Sequence, residues 1–380
     1  MDIGIRFANF DFNKKPFMVI WEVTYSCDLA CKHCRANSSP FRDPDELSFD
    51  EAKSLLDDIE SFGKPYPLVI LTGGDPFKRE DIFDIVDYGV KKGLPISLSP
   101  SVTPLFGEKE IVEMKKRGVK AISISLDGAS EQTHDSFRGV NGVFQRTMLL
   151  WDACRKNGLK IQINTTVTNL NKTELADIFS IVQEKGAMTW SLFFLVKVGR
   201  AEDSLQISPQ EYEDVMNFLY DAGHFVYTKT TEGHQYKRIF LQRMSAEKLG
   251  EDFTKTIKVG DLYFFLREKL TRIVKDKNLK PREPRTPMNI NSGKGFVFVS
   301  KLGQVFPSGF LPISCGNIRE KPLSEIYRQN PLMRNLRKPE LLEGRCGRCN
   351  YKNICGGSRA RAYSYKGNPF SEDPSCIWEQ

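Results

Sequence analysis

The run T-Y-S-C-D-L-A-C-K-H-C, residues 24–34, places Cys27, Cys31 and Cys34 directly after an apolar segment that predicts a first strand at residues 18–25. This spacing supplies three thiolates for one metal centre. A [4Fe–4S] cube held by three cysteines keeps one iron without a protein ligand, and an open coordination position is typical of reactive metal sites rather than structural ones. The run therefore predicts metal-centred chemistry at the end of the first strand.

Cysteine usage also indicates the compartment. Of nine cysteines, only Cys154 lies outside the two ends of the chain, a grouping typical of metal binding rather than of a secreted disulfide framework. Zinc is the alternative metal for the first group, with His33 as fourth ligand, although His33 stands too close to Cys34 for the usual spaced ligand pairs.

No run approaches the roughly 20 apolar residues that span a bilayer, and no signal peptide is recognisable. We expect a cytoplasmic protein without membrane insertion or a nucleic-acid partner, whose net charge of +7 fits an anionic substrate or simply a basic surface.

Between residues 16 and 200, short apolar segments alternate six times with longer amphipathic ones. This alternation predicts an α/β fold, a partial (β/α)6 barrel of the TIM type that is open on one side. The predicted strands are residues 18–25, 68–72, 95–101, 121–126, 161–167 and 190–198, and the predicted helices are residues 49–62, 81–92, 108–117, 143–157 and 172–185. Reactive groups gather at the carboxyl ends of such strands, where the three cysteines stand.

Three central strands each carry polar side chains on one face. With a period of two residues, these faces consist of Ser97, Ser99, Ser101, Ser123, Ser125, Asp127, Gln162, Asn164 and Thr166. A barrel interior is normally filled by branched apolar side chains, so polar faces predict a lumen lined for a polar ligand. The alternative is that these side chains bond to one another or to water.

Further motifs follow the second and fourth predicted strands: L-T-G-G-D-P at residues 71–76, S-L-D-G at residues 125–128 and H-D-S-F-R-G at residues 134–139. Together with the cysteine run, they resemble the radical SAM enzymes. The resemblance implies that the open iron binds S-adenosylmethionine (SAM), which is cleaved by one electron to a 5′-deoxyadenosyl radical that abstracts hydrogen from a substrate. Asp75 stands where the family usually has Glu, a shorter carboxylate that leaves the assignment intact.

The resemblance also assigns roles to individual residues. The Gly-Gly motif is expected to hold the SAM amino group, and Arg138 to clamp its carboxylate by bidentate geometry, with a surface ion pair as the alternative. The turn at residues 198–200 loosely resembles the adenine-side turn. Cofactor contacts are expected from His33, Gly73, Gly74, Asp75, Pro76, Ser99, Ser125, Asp127, Arg138 and Asn164.

A second cysteine group lies in residues 292–380, which resemble the SPASM extension of radical SAM enzymes and predict an α+β iron–sulfur domain. Its four thiolates are Cys346, Cys349, Cys355 and Cys376. Extensions with two auxiliary clusters have further cysteines where this chain has Arg359 and Ser308, so we expect one auxiliary [4Fe–4S] cluster and two clusters in total. Zinc is the alternative here, and the role of Cys315 stays open.

The rest of the chain is an N-terminal extension, residues 1–15, and a helical bridge, residues 201–291. In the bridge, His234, Tyr236 and Arg238 are candidates for substrate contact, against the alternative of an ordinary solvated helix.

The arrangement G-R-C-G-R-C-N-Y, residues 344–351, followed by C-G-G-S-R-A-R, residues 355–361, resembles the branch of haem and haem d1 biosynthesis enzymes. That resemblance implies modification of tetrapyrrole propionates, with Arg359 and Arg361 pairing with carboxylates. Maturation of a ribosomally made peptide is the second hypothesis, and a non-catalytic iron–sulfur electron carrier is the third. An electron donor such as ferredoxin or flavodoxin is expected.

Overall fold

The computed structural model describes Arg6 and residues 10–379 of the chain. Most of the N-terminal extension therefore lies outside the described residues. The strands β1 to β11 are Met18–Thr24, Leu68–Gly73, Ile96–Leu98, Ala121–Ser125, Lys160–Val167, Thr189–Phe194, Thr228–Thr231, Asn291–Ser292, Gly295–Val299, Gln304–Phe306 and Gly316–Asn317. The helices α1 to α13 are Phe49–Ser61, Ile82–Lys91, Glu108–Lys116, Glu131–Arg138, Val143–Lys156, Leu175–Glu184, Pro209–Gly223, Tyr236–Leu249, Asp261–Asp276, Leu323–Gln329, Pro331–Asn335, Gly344–Arg348 and Arg359–Lys366.

The strands β1 to β7 follow one another in parallel and form the wall of a partial TIM-type barrel. The first α/β unit shows how local sequence sets the pattern. Helix α1 begins at a capping box in which the Ser48 and Glu51 side chains each accept from the other's backbone N–H. The helix then buries Leu55, Leu56 and Ile59 at helical spacing in the layer between helices and sheet. The predicted fold class is confirmed.

The C-terminal hairpin extends the same sheet beyond β1. Strand β9 pairs in parallel with β1, with Trp21 opposite Val299, and β10 and β11 add antiparallel pairs. In the described part of the chain the sheet order is β11-β10-β9-β1-β2-β3-β4-β5-β6-β7, and β8 pairs with β9. The segment that carries the second cysteine group is thus joined to the strand that leads into the first.

Two elements of the barrel were not predicted. Strand β7 lies within the helical bridge and pairs with β6, which gives the barrel a seventh strand. Helix α4 lies between β4 and α5; it starts at the cap Ser130 and ends at Gly139, whose φ of 71° is left-handed. Among the described helices, none is long and apolar enough to cross a membrane.

Candidate active site

A cavity of about 290 Å³ opens inside the barrel, and the thiol-bearing residues Cys27, Cys31 and Cys34 line it. Seven of the nine polar side chains predicted for the lumen also line it: Ser99, Ser101, Ser123, Ser125, Gln162, Asn164 and Thr166. Another part of the wall is aromatic, from Phe193, Phe194, Phe296, Phe298 and Phe310. The prediction of a polar lumen is confirmed for these seven residues, and the structure adds an aromatic wall to it.

The polar lining residues also bond to one another. Ser123 Oγ donates to Ser99 Oγ at 2.7 Å, and Gln162 Nε2 donates to Asn164 Oδ1 at 2.7 Å. Both interpretations of these side chains therefore hold: they line the lumen, and they also bond to one another. The lumen is lined by polar groups that satisfy each other and still face open space.

The two glycines of the L-T-G-G-D-P motif bring the end of β2 against the backbone that leads into Cys27. A Cβ on Gly73 would lie 1.9 Å from Thr24 O, and a Cβ on Gly74 would lie 2.4 Å from the carbonyl oxygens of both Tyr25 and Ser26. Backbone hydrogen bonds from Gly74 to Thr24 O, 2.9 Å, and from Asp75 to Ser26 O, 2.7 Å, close this contact. Only glycine allows such an approach, so the motif fixes the start of the cysteine loop.

Arg200 holds the other end of the cysteine loop. Its Nε donates to Cys31 O at 3.0 Å, its backbone N–H donates to Cys34 O at 2.9 Å, and Nη1 donates to Ser38 O at 3.1 Å. A Cβ on the preceding Gly199 would lie 2.2 Å from Cys34 O. The turn at residues 198–200, which the sequence placed only loosely, is therefore a support for the thiols.

The environments of two thiols differ. Burial raises the pKa of Cys27 to about 11. Burial also acts to raise the pKa of Cys34, but hydrogen bonds with Ser38 and the charge of Arg200 outweigh it and lower the pKa below its usual value. Cys34 is thus the more readily ionised of the two.

Arg138, the last residue of α4, lines the cavity beside Cys31. Its guanidinium pairs with the buried carboxylate of Asp127, and Nη1 lies 3.6 Å from Cys31 Sγ. Burial lowers the pKa of Arg138, but the Asp127 carboxylate more than compensates and raises it, so the group stays charged. Asp127 also accepts from the Thr166 N–H at 2.6 Å and is not part of the cavity wall. Asp127 therefore positions Arg138.

The remaining predicted cofactor contacts fall into two groups. His33, Ser99, Ser125 and Asn164 line the cavity, whereas Asp75 and Pro76 do not. The buried Asp75 carboxylate accepts from Phe77 N at 3.2 Å and Thr103 Oγ1 at 2.6 Å, and burial raises its pKa to about 6. This carboxyl caps the short 3₁₀ turn Pro76–Lys78 beside the cavity.

The second cysteine group lines a small separate cleft. Its members are Cys346, Cys349, Cys355 and Cys376. Burial raises the pKa of Cys355 to about 11 and that of Cys376 to about 12. Arg238 also lines the cleft, lying 4.8 Å from the Trp378 ring and donating to Glu213 at 2.6 Å. Nowhere in residues 10–379 do three or more His, Cys, Asp or Glu side chains converge closely enough to hold a single metal ion.

The other predicted substrate contacts lie away from the large cavity. Arg359 donates to Pro369 O and Ser371 O at 2.9 and 2.8 Å. Arg361 pairs with Asp373 at 3.2 Å and donates to Leu195 O at 3.1 Å. Both guanidinium groups are partnered within the protein, so the structure gives no support to their expected pairing with substrate carboxylates.

Tyr236 is buried in the protein, and His234 is partly buried. Tyr236 and Thr228 share a hydrogen bond of 3.1 Å, and His234 Nε2 lies 3.9 Å from the Glu232 carboxylate. Neither residue lines the cavity.

Comparisons with known proteins agree with this geometry. Residues 21–182 match the model of the radical SAM superfamily. The chain is 39% identical to an AdoMet-dependent heme synthase of Methanosarcina barkeri over 96% of its length and 97% of the relative, AdoMet being SAM. It is 37% identical to an AdoMet-dependent heme synthase of Oleidesulfovibrio alaskensis, covering 95% of this chain and 87% of the relative. Among solved structures, anSMEcpe with bound AdoMet has a similar fold, with a TM-score of 0.67 at 15% identity over 95% of this chain and 94% of that one.

Proposed function

This chain belongs to the radical SAM superfamily, within the haem-synthase branch, and we propose that it oxidatively decarboxylates propionate side chains of an iron-bound tetrapyrrole. The observation that carries the proposal is the composition of the barrel cavity. Three thiols and a polar lining form one part of the wall, and five phenylalanines form another. A flat macrocycle with charged side chains needs both an apolar surface and polar groups.

The residues at the thiol end fit a cluster and SAM. The three cysteines are free thiols, their loop is held from both ends by glycines and Arg200, and the charged Arg138 reaches the cavity beside them. Cys27, Cys31 and Cys34 would hold a [4Fe–4S] cluster, and Arg138 would bind the SAM carboxylate. Bound there, the cluster and SAM together supply a 5′-deoxyadenosyl radical for hydrogen abstraction.

The chain's own residues place the substrate and exclude water. Phe193 on β6 and Phe296 and Phe298 on β9 stand on strands at or near opposite ends of the barrel sheet, and all three line the cavity. Aromatic side chains stack on flat conjugated rings and shield a radical from solvent. We infer that the macrocycle lies against this wall with one propionate directed toward the thiol end.

The electron balance gives the second cysteine group a role. Each propionate carboxylate loses one hydrogen atom, CO2 and one electron to become a vinyl group. Cys346, Cys349, Cys355 and Cys376 would hold an auxiliary [4Fe–4S] cluster, which supplies a one-electron acceptor. The electron for SAM cleavage is expected from a carrier such as ferredoxin or flavodoxin.

The test is anaerobic turnover of the reconstituted protein with iron coproporphyrin, SAM and a strong reductant, followed by mass analysis. Each reacted side chain should lose the mass of CO2 and two hydrogens, counted from the protonated acid. The variant in which Cys27, Cys31 and Cys34 are all Ala should form no 5′-deoxyadenosine while retaining the absorption of the second cluster. Iron coproporphyrin left intact while a peptide stimulates SAM cleavage would replace this proposal with peptide maturation.

A further inference from the structure

Lys229 on β7 places an ammonium group in the wall of the cavity. Its Cα lies opposite Ser191 on β6, and Ser191 lies opposite Asn164 on β5. Residues opposite each other on neighbouring strands face the same side of a sheet. Lys229 therefore ends a row of polar side chains that runs across the barrel interior.

The charges around Lys229 are unusual for a partly buried cation. Within residues 10–379 and Arg6, no carboxylate forms an ion pair with Lys229, and its ammonium group has no hydrogen-bond partner. The nearest charged groups that act on it are Arg285 and Arg6, and both repel it. Burial, followed by the charges of these two arginines, lowers the pKa of Lys229 to about 8, so most of it is charged at neutral pH.

The two arginines share this lack of acidic partners. Arg6 Nε donates to Thr286 O at 2.8 Å, and neither Arg6 nor Arg285 pairs with a carboxylate of the described residues. Burial, together with Arg285, lowers the pKa of Arg6 to about 10. Both arginines act on Lys229 with the same sign of charge, and an anion bound beside Lys229 would offset this repulsion.

A neutral group next to Lys229 has an unused hydrogen bond. Ser191 Oγ is fully buried and has no partner among the described atoms, although it occupies the position opposite Lys229 on the neighbouring strand. Buried hydroxyl groups are normally hydrogen-bonded. Ser191 is not part of the cavity wall, so Lys229 is the residue of this pair that a ligand in the cavity contacts.

We propose that Lys229, with Arg6 and Arg285 nearby, anchors a carboxylate of the substrate inside the barrel. The inference rests on the proposed function, because a tetrapyrrole with several propionates has carboxylates to anchor besides the one that reacts. A carboxylate held at β7 fixes the rotation of the macrocycle against Phe193 on the adjacent strand. Lys229 is thus a specificity-determining residue that selects multiply carboxylated tetrapyrroles over uncharged ones.

The experiment measures porphyrin binding to the reconstituted protein by the shift of the Soret band. Iron coproporphyrin carries propionates, and iron etioporphyrin has the same ring without carboxylates. The variant is Lys229→Met, and Lys120→Met is the matched control because Lys120 is an exposed cation outside the cavity. Lys229→Met should weaken iron coproporphyrin binding about tenfold or more, the effect of losing one charge-assisted hydrogen bond, and leave iron etioporphyrin and SAM binding unchanged.

The outcomes separate this inference from the proposed function. If the unaltered protein binds no porphyrin, the proposed function fails. If it binds iron coproporphyrin and Lys229→Met binds it equally well, the anchor is wrong while the function stands. If Lys229→Met loses affinity for SAM instead, Lys229 contacts SAM rather than the substrate, and the inference is wrong.

A folding control accompanies these measurements. Because Lys229→Met removes a charge that two arginines repel, thermal unfolding of the variant should occur at the same or a higher temperature. If the variant does not fold, Arg285→Gln at the exposed neighbour replaces it. Arg285→Gln should weaken iron coproporphyrin binding more than iron etioporphyrin binding. If the variant weakens the binding of both porphyrins to the same extent, the anchor is wrong.

Discussion

Replacing Arg138 by Met tests whether this residue acts on SAM or only on its buried partner. Arg138 is 8% exposed and Asp127 is fully buried, so the substitution strands a carboxylate inside the protein. Breaking a buried ion pair from one side costs about 3–5 kcal/mol. We expect the low end of that range, because Asp127 keeps the hydrogen bond from the Thr166 N–H at 2.6 Å.

The expected loss of SAM binding has a separate origin. A charge-assisted hydrogen bond to a desolvated carboxylate contributes about 1.5–3 kcal/mol, which corresponds to a loss of roughly tenfold or more in affinity. An exposed pair would contribute only about 0–1 kcal/mol. Arg138 lines the cavity and is almost completely buried, so the larger value applies.

The control is the double variant Arg138→Met/Asp127→Asn, in which no carboxylate is left without its partner. Urea unfolding of the apoprotein should show most of the stability restored, whereas calorimetric titration of the reconstituted protein should still show weak SAM binding. Recovery of SAM affinity in the double variant would refute a direct contact, since Arg138 would then act only through its pairing with Asp127. Undiminished stability of the single variant would refute the buried ion pair itself.

Three further changes test the supports of the two cysteine sites. Gly74→Ala places a methyl group 2.4 Å from two carbonyl oxygens before the first cysteine, so iron analysis should show poor loading of that site, unlike the control Gly107→Ala, whose nearest contact is a flexible carboxylate. Asp75 has its pKa raised to about 6, so its contribution to stability is present below about pH 4 and is lost as the pH rises through 6. In urea titrations at pH 8, the free energy of unfolding of Asp75→Asn should therefore exceed that of the unaltered protein by roughly 2–3 kcal/mol. At pH 4 the two proteins should have the same free energy of unfolding. Equal stability at pH 8 would contradict a buried charge at Asp75. Cys376→Ser should lower the iron content from about eight to about four per chain, and a retained eight would exclude this thiol as a ligand.

The fold was predictable where hydrophobic periodicity is strong. The six alternations of strand and helix follow from periods of two and 3.6 residues, and their bounds agree with the structure to within a few residues. Strand β7 has the sequence T-K-T-T, which has no apolar alternation and takes its conformation from pairing with β6. Helix α4 is mostly polar and is defined by its end residues Ser130 and Gly139.

The site was predictable only where its chemistry is local in the sequence. The cysteine run and the glycine pair are short motifs, whereas Arg200 supports Cys31 across 169 positions of the chain. For Arg359 and Arg361 the expectation came from the resemblance, and the structure shows both guanidinium groups bonded within the protein, mostly to backbone carbonyls that have no sequence signature. Lys229 could not be predicted as a cavity residue, because its strand β7 has no apolar alternation that would identify it in the sequence.

The continuous sheet joins the cysteine loop to the aromatic wall of the cavity. Arg35, directly after the cysteine loop, pairs with Glu22 on β1 and lies 4.5 Å from the ring of Phe298 on β9. The C-terminal segment therefore supplies both the aromatic wall of the cavity and the second cysteine group, while the barrel supplies the first group and the polar lining. Since β9 is hydrogen-bonded to the strand that leads into Cys27, a shift of that wall would also move the thiols. The distance between the thiols and the aromatic wall is thus set by strand pairing rather than by a flexible joint between domains.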